Sequence, residues 1–172
     1  MKHLILPICI LFIHVAKGQD KIIKHTGDTI DCKVTEVLEN GVKYCYKDET
    51  VVNTVSKNMV SQIIFSSGRV QKVTDKIIVT NEGDWQKVII TNLESDITGL
   101  KKVGEIQSKA NSGWSTTSVG KMQAKALEKL KKEAAKQGAF IVLILTETSQ
   151  AGHYGVSGGT KASFIGTIYS YN

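Results

Sequence analysis

The chain has 172 residues, a formal net charge of +6, 41% hydrophobic residues and 22% charged residues. That length allows one ordinary domain or two small ones, and the positive balance is mild. Beyond the first eighteen residues no stretch approaches the about 20 apolar residues of a membrane span.

The opening segment carries the signs of export. Lys2 and His3 form a short basic start, Leu4 to Val15 is almost wholly apolar, and the small residues Ala16 and Gly18 follow at the spacing of a cleavage site. Residues 1–18 therefore read as a signal peptide cleaved near Gly18/Gln19, giving a periplasmic or secreted product. The apolar run of 12 residues is too short to stay as an anchor. Cys9 lies inside that run without small residues before it, so a product free of lipid is expected. Loss of Lys2 and Lys17 takes the charge from +6 to +4.

Residues 19–73 pattern as a small all-β, barrel-like domain. Lys21 to His25, Thr29 to Leu38, Val42 to Lys47, Val51 to Val55 and Ser61 to Phe65 read as five strands, with turns at Gly27-Asp28, Asn40-Gly41 and Ser67-Gly68. Closure into a barrel would remove the exposed edges. A two-residue Asn40-Gly41 turn sets Cys45 opposite Glu36. Cys32 then lies about 13 Å out of register with Cys45, beyond the about 7 Å that a disulfide spans. Two half-buried free thiols are expected.

Residues 74–84 read as a linker, with Asn81-Glu82-Gly83-Asp84 as its turn cluster. Residues 85–172 pattern as an α+β domain of order β-β-α-β-β, with one long helix on a sheet. Its strands are Gln86 to Thr91, Leu100 to Lys109, Ala139 to Leu145 and Ala162 to Tyr171. The run AFIVLIL is apolar on both faces and should be a central strand, whereas the last strand is expected at an edge. Val119 to Gln137 is the helix. Val119, Met122, Ala126, Leu130 and Ala134 form its apolar stripe, Ser118 caps its start and Gly138 follows its end.

Two resemblances follow from these residues. Asp20, Ile22, Gly27-Asp28, Ile30, Lys33-Val34, Glu36-Val37, Val42-Lys43-Tyr44, Ser56-Lys57, Val60, Ile63 and Ser67-Gly68 resemble a recurrent segment of exported Bacteroidota proteins, and the strand order is similar to the Sm-like barrel. Sm-like rings read bases by particular loop residues that are not placed in this sequence, and their nucleic-acid binding is not carried over. Gly104-Glu105-Ile106, Ala124, Ala126, Ala134-Ala135, Gly138-Ala139, Val142, Thr148-Ser149, Gly152 and Gly166 resemble the RcsF-like and YbjQ-like envelope modules over residues 100–171. That resemblance implies the fold and, from the YbjQ-like side, a homo-oligomeric ring. RcsF-like sensors rely on disulfides in this module, for which this part has no cysteine.

Reactive groups do not converge in the sequence. Gly155-Val156-Ser157-Gly158-Gly159 matches the letters of a nucleophile elbow but precedes a strand, and no His follows Ser157; His153 shares its loop. Cys32, Cys45 and His25 are the one group that could hold a metal. Asp28 with Asp31, and Glu94 with Asp96, read as turn acids. The best binding feature is the row Lys121, Lys125, Lys129, Lys132 and Lys136, on one face of the helix and opposite its apolar stripe. Glu128–Lys132 and Glu133–Lys136 contacts would ease its repulsion. Trp114 in a polar loop is a second candidate anchor. These features point to an exported, non-catalytic binding module of the envelope or surface with no cofactor. Its expected partner is an envelope protein or an anionic lipid or lipopolysaccharide surface, not nucleic acid. The alternatives are a homo-oligomeric scaffold and a hydrolase of unfamiliar design built on Ser157, His153, Asp28 and Asp31.

Overall fold

The computed structural model describes residues 18–113, 117–152 and 159–171. Two sheets fold side by side, and among the described residues only the second carries an α-helix. No helix among the described residues is long and apolar enough to cross a membrane.

The first part is an open antiparallel sheet of six strands: β1 (Asp20–Lys24), β2 (Thr29–Val37), β3 (Gly41–Cys45), β4 (Asn53–Ser56), β5 (Val60–Ile64) and β6 (Val70–Lys72). Their spatial order is β4-β3-β2-β1-β5-β6. This corrects the expected barrel. The first half of β2 pairs with β1 and its second half pairs with β3. The sheet curls over one core of Ile22, Ile30, Cys32, Val42, Tyr44, Val55, Met59, Val60 and Ile63. A 3-10 turn, Lys57–Met59, joins β4 to β5 in place of a ladder, and β4 and β6 remain the ends of the sheet. The sixth strand, unforeseen in the sequence, forms a hairpin with β5 around Gly68, whose φ of +85° suits the turn.

The β2–β3 register also departs from expectation. Gly41 is the first residue of β3 and pairs with Ser56, and the turn closes one residue earlier, with the Leu38 amide on the Gly41 carbonyl at 2.8 Å. Glycine is required there for close packing, because a Cβ at Gly41 would lie 2.9 Å from the Val55 carbonyl oxygen. An irregularity between Val34 and Glu36 shifts the pairing again, and Cys45 pairs with Lys33, the neighbour of Cys32. Both cysteines are free; Cys32 is buried and Cys45 half-buried.

The second part has β7 (Ile89–Thr91), β8 (Lys101–Asn111), α1 (Val119–Lys136), β9 (Ile141–Gln150) and β10 (Lys161–Ser170). The order β7-β9-β10-β8, with β7 parallel to β9, makes β9 internal as its two-sided apolarity implied. It also corrects the last strand: β10 is not an edge but runs between β9 and β8. Residues 86 and 87 belong to a 3-10 turn, Glu82–Lys87, because the Asn81 and Asp84 side chains hold the chain in a tight turn there. Met122, Ala126, Leu130 and Ala134 of α1 are buried against β8, β9 and β10, as the helical spacing requires. Burying a side chain such as Leu130 contributes roughly 2 kcal/mol. Ser118 caps the helix by accepting from the Lys121 amide, and Gly138 follows it at φ +69°.

Residues 74–84 are a strap fastened to both parts. The Thr74 hydroxyl reaches the Lys57 and Val60 carbonyls in the first part, while Val79 packs on the helix core in the second.

Candidate functional site

The lysine row does share one face, but that face is not turned straight away from the sheet. Its C-terminal members, Lys129, Lys132 and Lys136, lie on the flank of α1 that overlooks β8. Lys129 Nζ donates to the Lys109 carbonyl of β8 at 3.1 Å. Lys132 meets Glu128 at 2.6 Å and sits 5.4 Å over the Trp85 ring. Lys136 meets Glu133 at 3.7 Å and Glu82 at 3.6 Å. Hydrogen bonding to Glu128 holds the Lys132 ammonium above the ordinary lysine range. Lys121 and Lys125 are exposed and make no such contact among the described residues.

Among the described residues β8 is an edge strand, and its hydrogen bonding can be read by parity. Ser112 N–H bonds the Thr160 carbonyl at 3.0 Å, while the Lys109 carbonyl is reached from outside by Lys129. In an antiparallel ladder the bonded positions alternate. The even-numbered residues of β8 therefore face β10, and Glu105, Gln107, Lys109 and Asn111 direct their N–H and C=O groups outward. Between this edge and α1 lies a groove of about 400 Å³, lined by Gln107, Ser108, Lys109, Lys129, Lys132 and Lys136 together with Glu82 and Glu133. Ser108 is 7% exposed, and its hydroxyl has no hydrogen-bond partner among the described residues. Sequence reasoning missed Gln107, Ser108 and Lys109. The signal was the alternation over 101–111, which marks a half-buried strand but not an open edge.

The other candidates are dispersed. Asp28 accepts from Thr26 Oγ1 at 2.9 Å, and Asp31 lies 3.8 Å from Lys21. Asp96 Oδ2 accepts from Thr91 Oγ1 at 2.7 Å, and the Asp96 carbonyl takes Ser56 Oγ and Asn58 Nδ2. Thr98 Oγ1 donates to the Glu94 carbonyl at 3.2 Å. These contacts fix turns, and the Asp96 contacts also tie the two parts together. Cys32 and Cys45 line one cleft with Asp20, Lys33 and Asp48, whereas His25 packs on Tyr171 at the junction of the parts. Among the described residues no three His, Cys, Asp or Glu side chains converge on a metal position. Residues 1–17 of the segment 1–18 that was expected to be a signal peptide, together with Trp114, His153, Ser157 and residues 155–158, lie outside the described residues.

The molecule is thus an α+β body whose most distinctive surface is a lysine-flanked open strand. No family model, no curated protein and no solved structure matches the chain.

Proposed function

We propose that this chain is an exported, non-catalytic binding module of the cell envelope, and that it holds an anionic partner on the lysine flank of α1. The observation that carries the reading is the row Lys121, Lys125, Lys129, Lys132 and Lys136 along one face of α1, whose last three members line the groove beside the outward-facing backbone of β8. Aligned cations concentrate anions near the surface and speed their encounter. The basic start, the apolar run and the small residues of 1–18 support export.

The test reverses charge where no side-chain contact among the described residues is lost. Parent protein and the double variant Lys121→Glu/Lys125→Glu are compared for retention on immobilised polyglutamate and for co-sedimentation with phosphatidylglycerol vesicles. Retention on either probe that weakens with salt and is lost in the variant supports the reading. Equal behaviour of the two proteins on both probes overturns it. Export has its own test: protein from the periplasm or medium of expressing cells should begin at Gln19.

A further inference from the structure

The lysine flank and the β8 edge belong to one groove, and their spacings match. Lysines four apart on α1 are separated by about 6 Å along the helix axis. Alternate residues of an extended strand are separated by about 6.6 Å. Gln137 near the C-terminal end of α1 approaches Gly104, and Lys129 meets Lys109, so α1 runs antiparallel to β8 and its lysines follow the strand's edge. A strand added beside β8 would find outward backbone groups at Glu105, Gln107, Lys109 and Asn111 on one side. Its helix-facing side chains would lie beneath the ammonium groups.

We propose that this groove takes an extended acidic peptide by strand addition, with carboxylates at alternate positions. This rests on the reading of the lysine flank as the binding face and adds the chemistry of the partner. Two independent observations support a strand in the groove. The outward N–H and C=O groups need hydrogen-bond partners that headgroups on a flat basic face would not satisfy. Ser108, buried in the groove, also has a hydroxyl without a partner among the described residues. Charge selects the sign: Lys109, Lys129, Lys132 and Lys136 outnumber Glu82 and Glu133 in the lining. The same charge argues against a second copy of the chain, because pairing β8 with itself about a two-fold axis would press two lysine flanks together. Docking exchanges the Lys129 bond to the Lys109 carbonyl for a peptide amide on that carbonyl and a peptide carboxylate on Lys129.

The experiment uses the mature protein and a labelled peptide alternating Glu and Thr, read by fluorescence anisotropy. A control peptide of the same composition, arranged Glu-Glu-Thr-Thr, divides its carboxylates between both faces. A third peptide keeps the alternating sequence with every second amide N-methylated, in both phases. The alternating peptide should bind at least about tenfold more tightly than the blocked one. One N-methyl phase should lose that binding and the other retain it, as one-sided pairing demands. Gln107→Pro removes an outward N–H without touching the β10 ladder, and should lose binding with unchanged circular dichroism. Equal affinity for the alternating, blocked and methylated peptides, all lost in Lys121→Glu/Lys125→Glu, overturns strand addition and leaves the lysine flank as the binding face. Binding of phosphatidylglycerol vesicles but of no peptide likewise overturns strand addition alone. Peptide affinity unaffected by that double variant and by Lys129→Glu removes both readings.

Discussion

The Tyr171 ring stacks on Phe140 with centroids 4.2 Å apart and an interplanar angle of 17°. Phe140 precedes β9 in the second part, yet Tyr171 also packs on the core of the first part, where it meets the His25 ring edge-on at 5.3 Å. Its hydroxyl accepts from the Ile77 amide of the strap at 3.1 Å. Burial raises the Tyr171 phenol above its ordinary value, against the opposing effect of that amide bond. One side chain at the end of the last strand thus joins both parts and their connection.

Truncating it should loosen the whole molecule. Tyr171→Phe removes one hydrogen bond and should cost about 1 kcal/mol. Tyr171→Ala removes the stacked ring as well and should cost about 2–3 kcal/mol. Urea unfolding followed by circular dichroism measures both. A single transition in the parent that splits into two in Tyr171→Ala would show that this contact makes the parts unfold together.

The same junction should respond to pH. His25 Nε2 lies 2.9 Å from Thr74 Oγ1, whose own proton is taken by the Lys57 or Val60 carbonyl, so Nε2 is the donor. Burial lowers the His25 pKa, the Lys76 charge lowers it further, and Asp75 opposes both. The folded state therefore binds its proton less readily than the unfolded state. Stability contributed by neutral His25 is present above about pH 6.5 and is lost as pH falls through that value toward the lower folded pKa. Denaturant midpoints should drop between pH 7.5 and 5.5, and His25→Gln should flatten that drop. Parallel profiles for the two proteins would assign the drop to other groups.

The two thiols should differ sharply in reactivity. Burial, the main cause, together with Asp20, Asp31 and Cys45, pushes the Cys32 thiol up to about 11. Only the thiolate attacks an alkylating reagent. At pH 8, iodoacetamide should modify half-buried Cys45 and spare Cys32 until denaturant is added. Mass spectrometry of peptic fragments reads the outcome, and equal labelling of both in native protein would contradict this account.

The second part was legible because its signals are long. Eighteen residues of α1 repeat one stripe with a cap at each end, and AFIVLIL is apolar on both faces. The first part was legible strand by strand but not in closure or register. Asn40-Gly41 has the letters of a tight hairpin turn, yet Gly41 serves the close approach of β4, and an irregularity in β2 moves the pairing once more. Such choices depend on neighbours distant in sequence. The site was half visible for the same reason. The lysine spacing lies within one helix, whereas the identity of the edge strand depends on β10 inserting between β9 and β8.

That insertion requires glycine at one point. Gly166 pairs with Ile106 on one side and Ile144 on the other, next to an irregularity in the β9–β10 ladder. A Cβ there would lie 2.7 Å from Val142 Cγ1 and 2.9 Å from the Leu143 carbonyl oxygen. Val142 is fully buried beneath the helix, and a backbone carbonyl in a central strand cannot retreat without breaking its ladder. Gly166→Ala should therefore cost about 1–3 kcal/mol through overpacking. Gly120 is the matched control: it is exposed in the first turn of α1, and nothing lies within 4 Å of its added Cβ. Gly120→Ala should stabilise the protein by about 0.5–1 kcal/mol, the helix preference for alanine. Thermal unfolding of the two variants against the parent checks both signs. A neutral Gly166→Ala would mean that β10 can shift between its neighbours, and with it the open edge of β8.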